Sequence, residues 1–134
     1  MADEIKSDDI KINNIKIVES FIHAWSEIDL EKIMEFFADD CLYHNIPMEP
    51  LHGTEDIRKF IEGFIGMSSE IVWDVHHICE TAQGAVLTER TDKFKMGERW
   101  VALPVMGTFE LKDGKLIAWR DYFDVGQFQS QMAG

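Results

Sequence analysis

The sequence is poor in the residues that build stapled, basic or membrane-crossing proteins. It has two cysteines, Cys41 and Cys79, 38 residues apart and outside any CxxC spacing. That count supports neither a disulfide scaffold nor a zinc site, and two buried, reduced thiols in a cytoplasmic protein are expected. Basic residues number 13 against 25 acidic ones, a net charge of −12. Such a surface repels phosphate backbones and anionic lipid, which argues against nucleic-acid and membrane partners. Long apolar runs are also missing. No uncharged stretch is longer than Trp100 to Phe109, which is too short to span a bilayer and contains Pro104 and Gly107. The opening, MADEIKSDDIK, is acidic and has no apolar h-region, so no signal peptide is expected. What is present, 134 residues that are 46% hydrophobic and 28% charged, is the balance of an ordinary globular chain. The length admits one domain, taken as residues 1–134, with a core large enough to fold without staples.

The first third reads as helix. Ile15, Val18, Ile22 and Trp25 recur at helical spacing, Phe21 widens the stripe, and Asn13 or Asn14 can cap the start. Asp29 opens a second helix whose apolar residues are Leu30, Ile33, Met34 and Phe37. Residues 1–40 hold 11 acidic and 4 basic side chains, which on amphipathic helices form a solvated outer face. A short strand at Cys41–Asn45 ends in a loop containing Pro47 and Pro50. Thr54 is expected to cap a third helix through about Ile65, with Ile57, Phe60, Ile61 and Phe64 inward. From residue 69 the period changes from 3.6 to 2. Strands are expected at 70–79, 85–96, 99–111 and 115–123, with turns at Gly84, Gly97 and Asp113-Gly114. Helices followed by an antiparallel meander define an α+β fold, with helices packed on one face of a curved sheet.

The chemistry is concentrated on three strands. In LTERTD, alternation puts Val86, Thr88, Arg90, Asp92 and Phe94 on one face. Arg90 and Asp92 then project side by side, about 6.6 Å apart at ~3.3 Å per residue. On a mostly apolar face both need partners, and a structural salt bridge is the plain reading. In LIAWRDYFD, Ile117, Trp119, Asp121 and Phe123 share a face. Asp121 is thus a carboxylate between aromatics, where ionisation is disfavoured unless an arginine is shared. A guanidinium can bridge two carboxylates through its fixed fork of donors, and two carboxylates in unequal surroundings can divide into an acid and a base. Tyr43 and Asn45 share a face of the first strand, where a phenol and an amide can hold one water. A core tyrosine and a strand-end asparagine explain the same pair.

Taken together, Tyr43-x-Asn45, Arg90-x-Asp92 and Asp121, within AVLTERTD at 85–92 and WRDYFD at 119–124, resemble the active-site set of the limonene-1,2-epoxide hydrolases. The resemblance extends from the first helix to Phe123. It implies a cystatin-like cone: a curved, mostly antiparallel mixed sheet closed by three to four helices on one face. It implies that Asp121 is a general base acting on a water held by Tyr43 and Asn45. Asp92 would be the general acid, with Arg90 bridging the two aspartates. Neither a cofactor nor a metal is called for, the partners are a small apolar epoxide and water, and a homodimer is expected.

Other features are weaker. His76 and His77 point to opposite faces of a strand and make a poor metal pair. His44 and His52 flank the proline loop and read as surface residues. Trp100, Val101, Leu103, Val105 and Met106 suit a cavity, the core or a subunit interface equally. Phe128, in the short tail, is placed to close one end of a cavity. Two further readings share the cone fold: a ketosteroid-isomerase-like or polyketide-cyclase-like enzyme, and a non-catalytic binding or dimerisation module. They are separated from epoxide hydrolysis by whether Asp92, Arg90 and Asp121 form one bonded cluster in a cavity.

Overall fold

The computed structural model describes residues 13–133; the acidic opening MADEIKSDDIK lies outside them. Asn13 caps α1 (Asn14–Ser26), its side chain accepting from the Lys16 amide at 3.1 Å. Asn14 instead donates its side-chain amide to the Gly84 carbonyl at 2.9 Å, tying the helix start to a distant turn. Asp29 caps α2 (Leu30–Met34) by accepting from Lys32 N at 3.2 Å. Phe37, expected on that helix, opens β1 (Phe37–Asn45) instead. Pairing across the sheet with Leu116 overrides the helical spacing there, and β1 is longer than Cys41–Asn45.

The proline loop contains a two-residue strand, β2 (Leu51–His52), antiparallel to β1. Thr54 does not cap α3 (Thr54–Met67) but is its first residue. Gly53 occupies the cap at φ +83°, a left-handed backbone that excludes a capping threonine side chain at that position. The meander follows as β3 (Glu70–Glu80), β4 (Val86–Met96), β5 (Arg99–Lys112) and β6 (Lys115–Tyr122). The tail forms α4 (Val125–Ala133), an element with too weak an apolar stripe to read in advance.

The sheet order is β2-β1-β6-β5-β4-β3, with β1 parallel to β6 and every other pair antiparallel. This is the α+β cone of the cystatin-like class, its inner face covered by helices. Phe21 of α1 sits at the centre. Its ring meets Trp25, Phe36, Phe37, Phe109 and Trp119 edge-on, at centroid distances from 5.0 to 6.2 Å. In β6 the register shifts, Ile117 has no partner in the ladder with β5, and Leu116 takes the core position expected for Ile117. Cys41 is buried, and burial pushes its thiol up to about 12. Cys79 is exposed, contrary to expectation, because β3 runs past the core toward its Glu80 end.

The β6 strand pairs with β5 only from Met106 onward, so among the described residues no strand lies along that edge of the first half of β5. Pro104 offers no amide to that edge. Ala102 is covered by the side chain of Gln131, which accepts from Ala102 N and donates to Ala102 O, both at 2.8 Å. Arg99 fixes the same end of α4 by donating to the carbonyls of Gln131 and Met132 at 3.0 and 2.6 Å. No helix among the described residues is long and apolar enough to cross a membrane.

Candidate active site

Register brings the site together. One row of paired residues crosses the inner face of the sheet as Thr88, Gly107, Asp121 and Asn45, from β4, β5, β6 and β1. The next row runs Val86, Phe109, Trp119 and Tyr43. In that second row the Trp119 ring stacks on Tyr43 at 4.2 Å and on Phe109 at 5.5 Å. A polar row thus lies against an aromatic wall. Arg90 and Asp92 project from β4 on the far side of the polar row, both buried as alternation requires.

The Arg90 side chain reaches back from β4 over β5 to β6. Its Nε donates to Asp92 Oδ1 at 2.9 Å and its Nη2 to Asp92 Oδ2 at 2.8 Å. Nη2 also donates to Asp121 Oδ2 at 2.8 Å, and Nη1 to Asp121 Oδ1 at 3.2 Å and Thr88 Oγ1 at 3.1 Å. All five N–H groups of a guanidinium are therefore used. The Arg90 side chain is 0% exposed, and its Cζ lies 5.1 Å from the Trp73 ring centroid. Asp121 accepts a third bond from Trp119 Nε1 at 2.8 Å. The Tyr43 hydroxyl donates to Asn45 Oδ1 at 3.4 Å.

Charge and burial make the two carboxylates unequal. One guanidinium balances one carboxylate, and a second negative charge in this interior has no counterpart. Burial is the main cause that pushes Asp92 up to about 6; Arg90 opposes it and the charge of Asp121 adds to it. Burial works against the Arg90 charge, but the two carboxylates, Asp121 ahead of Asp92, overcome it and hold the guanidinium firmly protonated. Burial, followed by the nearby Asp121 charge, raises the Tyr43 phenol, so it acts as a neutral donor. Asp121 accepts three hydrogen bonds, two from Arg90 and one from Trp119, against two at Asp92.

The cluster forms the polar floor of a cavity of about 260 Å³. Tyr43, Asn45, Asp92 and Asp121 face it. Trp25, Phe60, Phe64, Trp73, Phe94, Leu103, Val105 and Phe123 make apolar walls, and Met48 with Val125, Phe128 and Gln129 of α4 completes the lining. Of the β5 residues left open by the sequence, Leu103 and Val105 line this cavity and Val101 is core. Trp100 and Met106 lie on the outer face, 45% and 52% exposed. Phe128, expected to close one end, lines the cavity and packs against Phe94. Sequence reading missed three contributors. Thr88 and Trp119 were placed on the correct face, but their bonds to Arg90 and Asp121 follow from rotamers that alternation does not reveal. Gly107 was read only as a break in an uncharged run. Among the described residues no cluster of three His, Cys, Asp or Glu side chains is arranged to hold a metal.

The site is thus a small cone closed over a buried carboxylate–arginine–carboxylate bridge that opens to an apolar cavity. The chain belongs to the limonene-1,2-epoxide hydrolase family, whose catalytic domain matches residues 12–133. It is 34% identical over 111 residues to the epoxide hydrolase EphG of Mycobacterium tuberculosis, an alignment covering 81% of this chain and 71% of that protein. A solved M. tuberculosis epoxide hydrolase of the same kind superposes with a TM-score of 0.79 at 32% identity, over 90% of each chain. A Catenulispora acidiphila protein with a ketosteroid isomerase-like fold superposes with a TM-score of 0.77 at 16% identity, over 87% of this chain and 92% of that one. That likeness concerns the fold alone.

Proposed function

We propose that this protein hydrolyses small cyclic or terpene-like epoxides to vicinal diols in one acid–base step. The observation that carries the reading is the bridge through which Arg90 holds Asp92 and Asp121 together at 2.8 Å on the floor of an apolar cavity. Asp121 is the base that takes a proton from water. Tyr43 and Asn45, adjacent to it on β1, hold that water. Asp92 is the acid, its proton passing to the epoxide oxygen as the ring opens. An epoxide is strained but leaves as a poor alkoxide, so simultaneous push and pull suits it. The proton count closes: Asp121 gains one proton, Asp92 gives one up, and exchange with solvent resets the pair. The reaction so written requires no metal or cofactor. An isomerase- or cyclase-like reaction on this fold needs a base and donors for an enolate, and has no use for a second carboxylate bridged by arginine.

The parent activity is tested with a panel including limonene oxide and cyclohexene oxide, with chiral analysis of the diols. The mechanism is tested in oxygen-18 water with enzyme in excess. The label enters the diol in the first turnover and the Asp121 carboxylate stays unlabelled. An ester trapped on an aspartate would overturn the one-step route. The same reading includes a homodimer joined through the outer sheet face, where Trp100, Met106 and Tyr122 are about half exposed and Met106 pairs directly with Tyr122. Sedimentation showing only monomer at micromolar concentration would refute that part.

A further inference from the structure

We infer that Gly107 is a positioning residue of the acid–base pair, because its missing side chain is the slot through which the Arg90 guanidinium reaches Asp121. The inference rests on the proposed epoxide hydrolysis for its kinetic readout, but its geometry stands by itself. Gly107 is buried in the middle of β5, paired on one side with Thr88 and on the other with Asp121. Its backbone is not in the left-handed region, so conformation does not require glycine there. Space does. A Cβ at this position would lie 2.5 Å from both Arg90 Nη1 and Asp121 Oδ1, and 3.1 Å from Thr88 Oγ1. Ordinary carbon contacts begin near 3.5 Å.

Those three atoms are the ones that meet above β5. Arg90 rises from β4 and Asp121 from β6, with one strand between them, so a guanidinium joining them has to lie flat across β5. Any side chain at the crossing point lifts the guanidinium and separates Nη1 from Oδ1. Neither group can retreat freely. Nε and Nη2 are bound to Asp92, and Oδ1 also accepts from Trp119. A methyl group would thus change the relative placement of the acid and the base without touching substrate.

Gly107→Ala tests this. The expected result is a fall in kcat of roughly 100-fold, the scale of an ångström-level misplacement, with KM within about threefold. A readout independent of any reaction accompanies it: the titration of Asp92 followed by carboxyl carbon NMR moves from its wild-type midpoint. A kcat within threefold of wild type together with an unmoved Asp92 midpoint overturns the inference. If wild type has no epoxide hydrolase activity, the functional reading fails, and the NMR midpoint alone decides the role of Gly107. If Gly107→Ala does not fold, the double variant Gly107→Ala/Asp121→Ala decides. Removing the carboxylate gives the guanidinium room to move and restores folding if crowding is the cause. A double variant that stays unfolded while Asp121→Ala alone folds shows that position 107 needs glycine for a reason other than crowding of the bridge, and the inference is wrong.

Discussion

Replacing Arg90 with lysine isolates the value of a planar, two-sided bridge at constant charge. Arg90 makes five hydrogen bonds, to Thr88, Asp92 and Asp121. Lysine has three donors, so at least two of these bonds disappear, at about 1.5–3 kcal/mol for each bond to a charged partner. The loss is therefore about 3–6 kcal/mol, in line with the ~3–5 kcal/mol for breaking a buried ion pair by changing one partner. Set against a typical total of ~5–15 kcal/mol, Arg90→Lys is expected to remain folded at room temperature with a much reduced margin. Urea unfolding monitored by tryptophan fluorescence measures the margin, and an unchanged m-value shows that stability alone has moved. Turnover falls with it, because a point charge cannot serve both carboxylates at once. A variant that loses less than about 1 kcal/mol and keeps near-wild-type kinetics would show that the bridge is a crowded contact and not a working part.

Three further outcomes follow from the same geometry. Asp92→Asn and Asp121→Asn each abolish epoxide hydrolysis in a protein that still shows cooperative unfolding; substantial activity in either removes the assigned roles. Asp92, held at about 6 instead of near 3.8, keeps a proton that the unfolded chain has released, so stability falls as pH rises through that window, by roughly 3 kcal/mol for about two units. The acid it supplies is lost above about 6, so kcat/KM declines on the alkaline side; thermal melts and a pH–rate profile check both signs. Trp119→Phe keeps the stack on Tyr43 and deletes the 2.8 Å donor to Asp121, and is expected to lower kcat by about tenfold with little change in KM, an effect absent if Trp119 only packs.

The parts of the molecule that repeat were legible and the parts that depend on a single contact were not. Alternation placed Thr88, Arg90, Asp92, Trp119 and Asp121 on the inner face, because a period of two leaves no other choice. It failed at Ile117, where a register shift moved Leu116 inward, since a bulge changes the phase without changing composition. Phe37 fitted the helical stripe of α2 and was taken by the sheet, a tertiary pairing stronger than one turn of helix. Thr54 has the chemistry of a cap, but Gly53 has the backbone for the position. The α4 helix has only Val125, Phe128 and Met132 as an apolar stripe, too short and weak a signal to announce a helix. The residue types of the site were readable because arginine and aspartate are conspicuous on an apolar face. The need for Gly107 was not, because it is set by what two neighbouring strands send across it.

The clasp at the carboxyl end joins two properties that are usually separate: access to a cavity and resistance to aggregation. Val125, Phe128 and Gln129 of α4 line the pocket, and Gln131 of the same helix pairs with the Ala102 backbone on the β5 edge. Swinging the whole helix aside to admit a bulky molecule would break the two Gln131 bonds and the Arg99 clasp. It would also bare a strand edge able to template another chain. Broad opening therefore carries a colloidal hazard that a side-chain movement does not. Entry by turning Phe128 or Met48 leaves the Gln131 bonds to Ala102 intact. The size of molecule that the pocket admits is in this way tied to the cover over a strand edge, through one short helix whose Phe128 packs against Phe94.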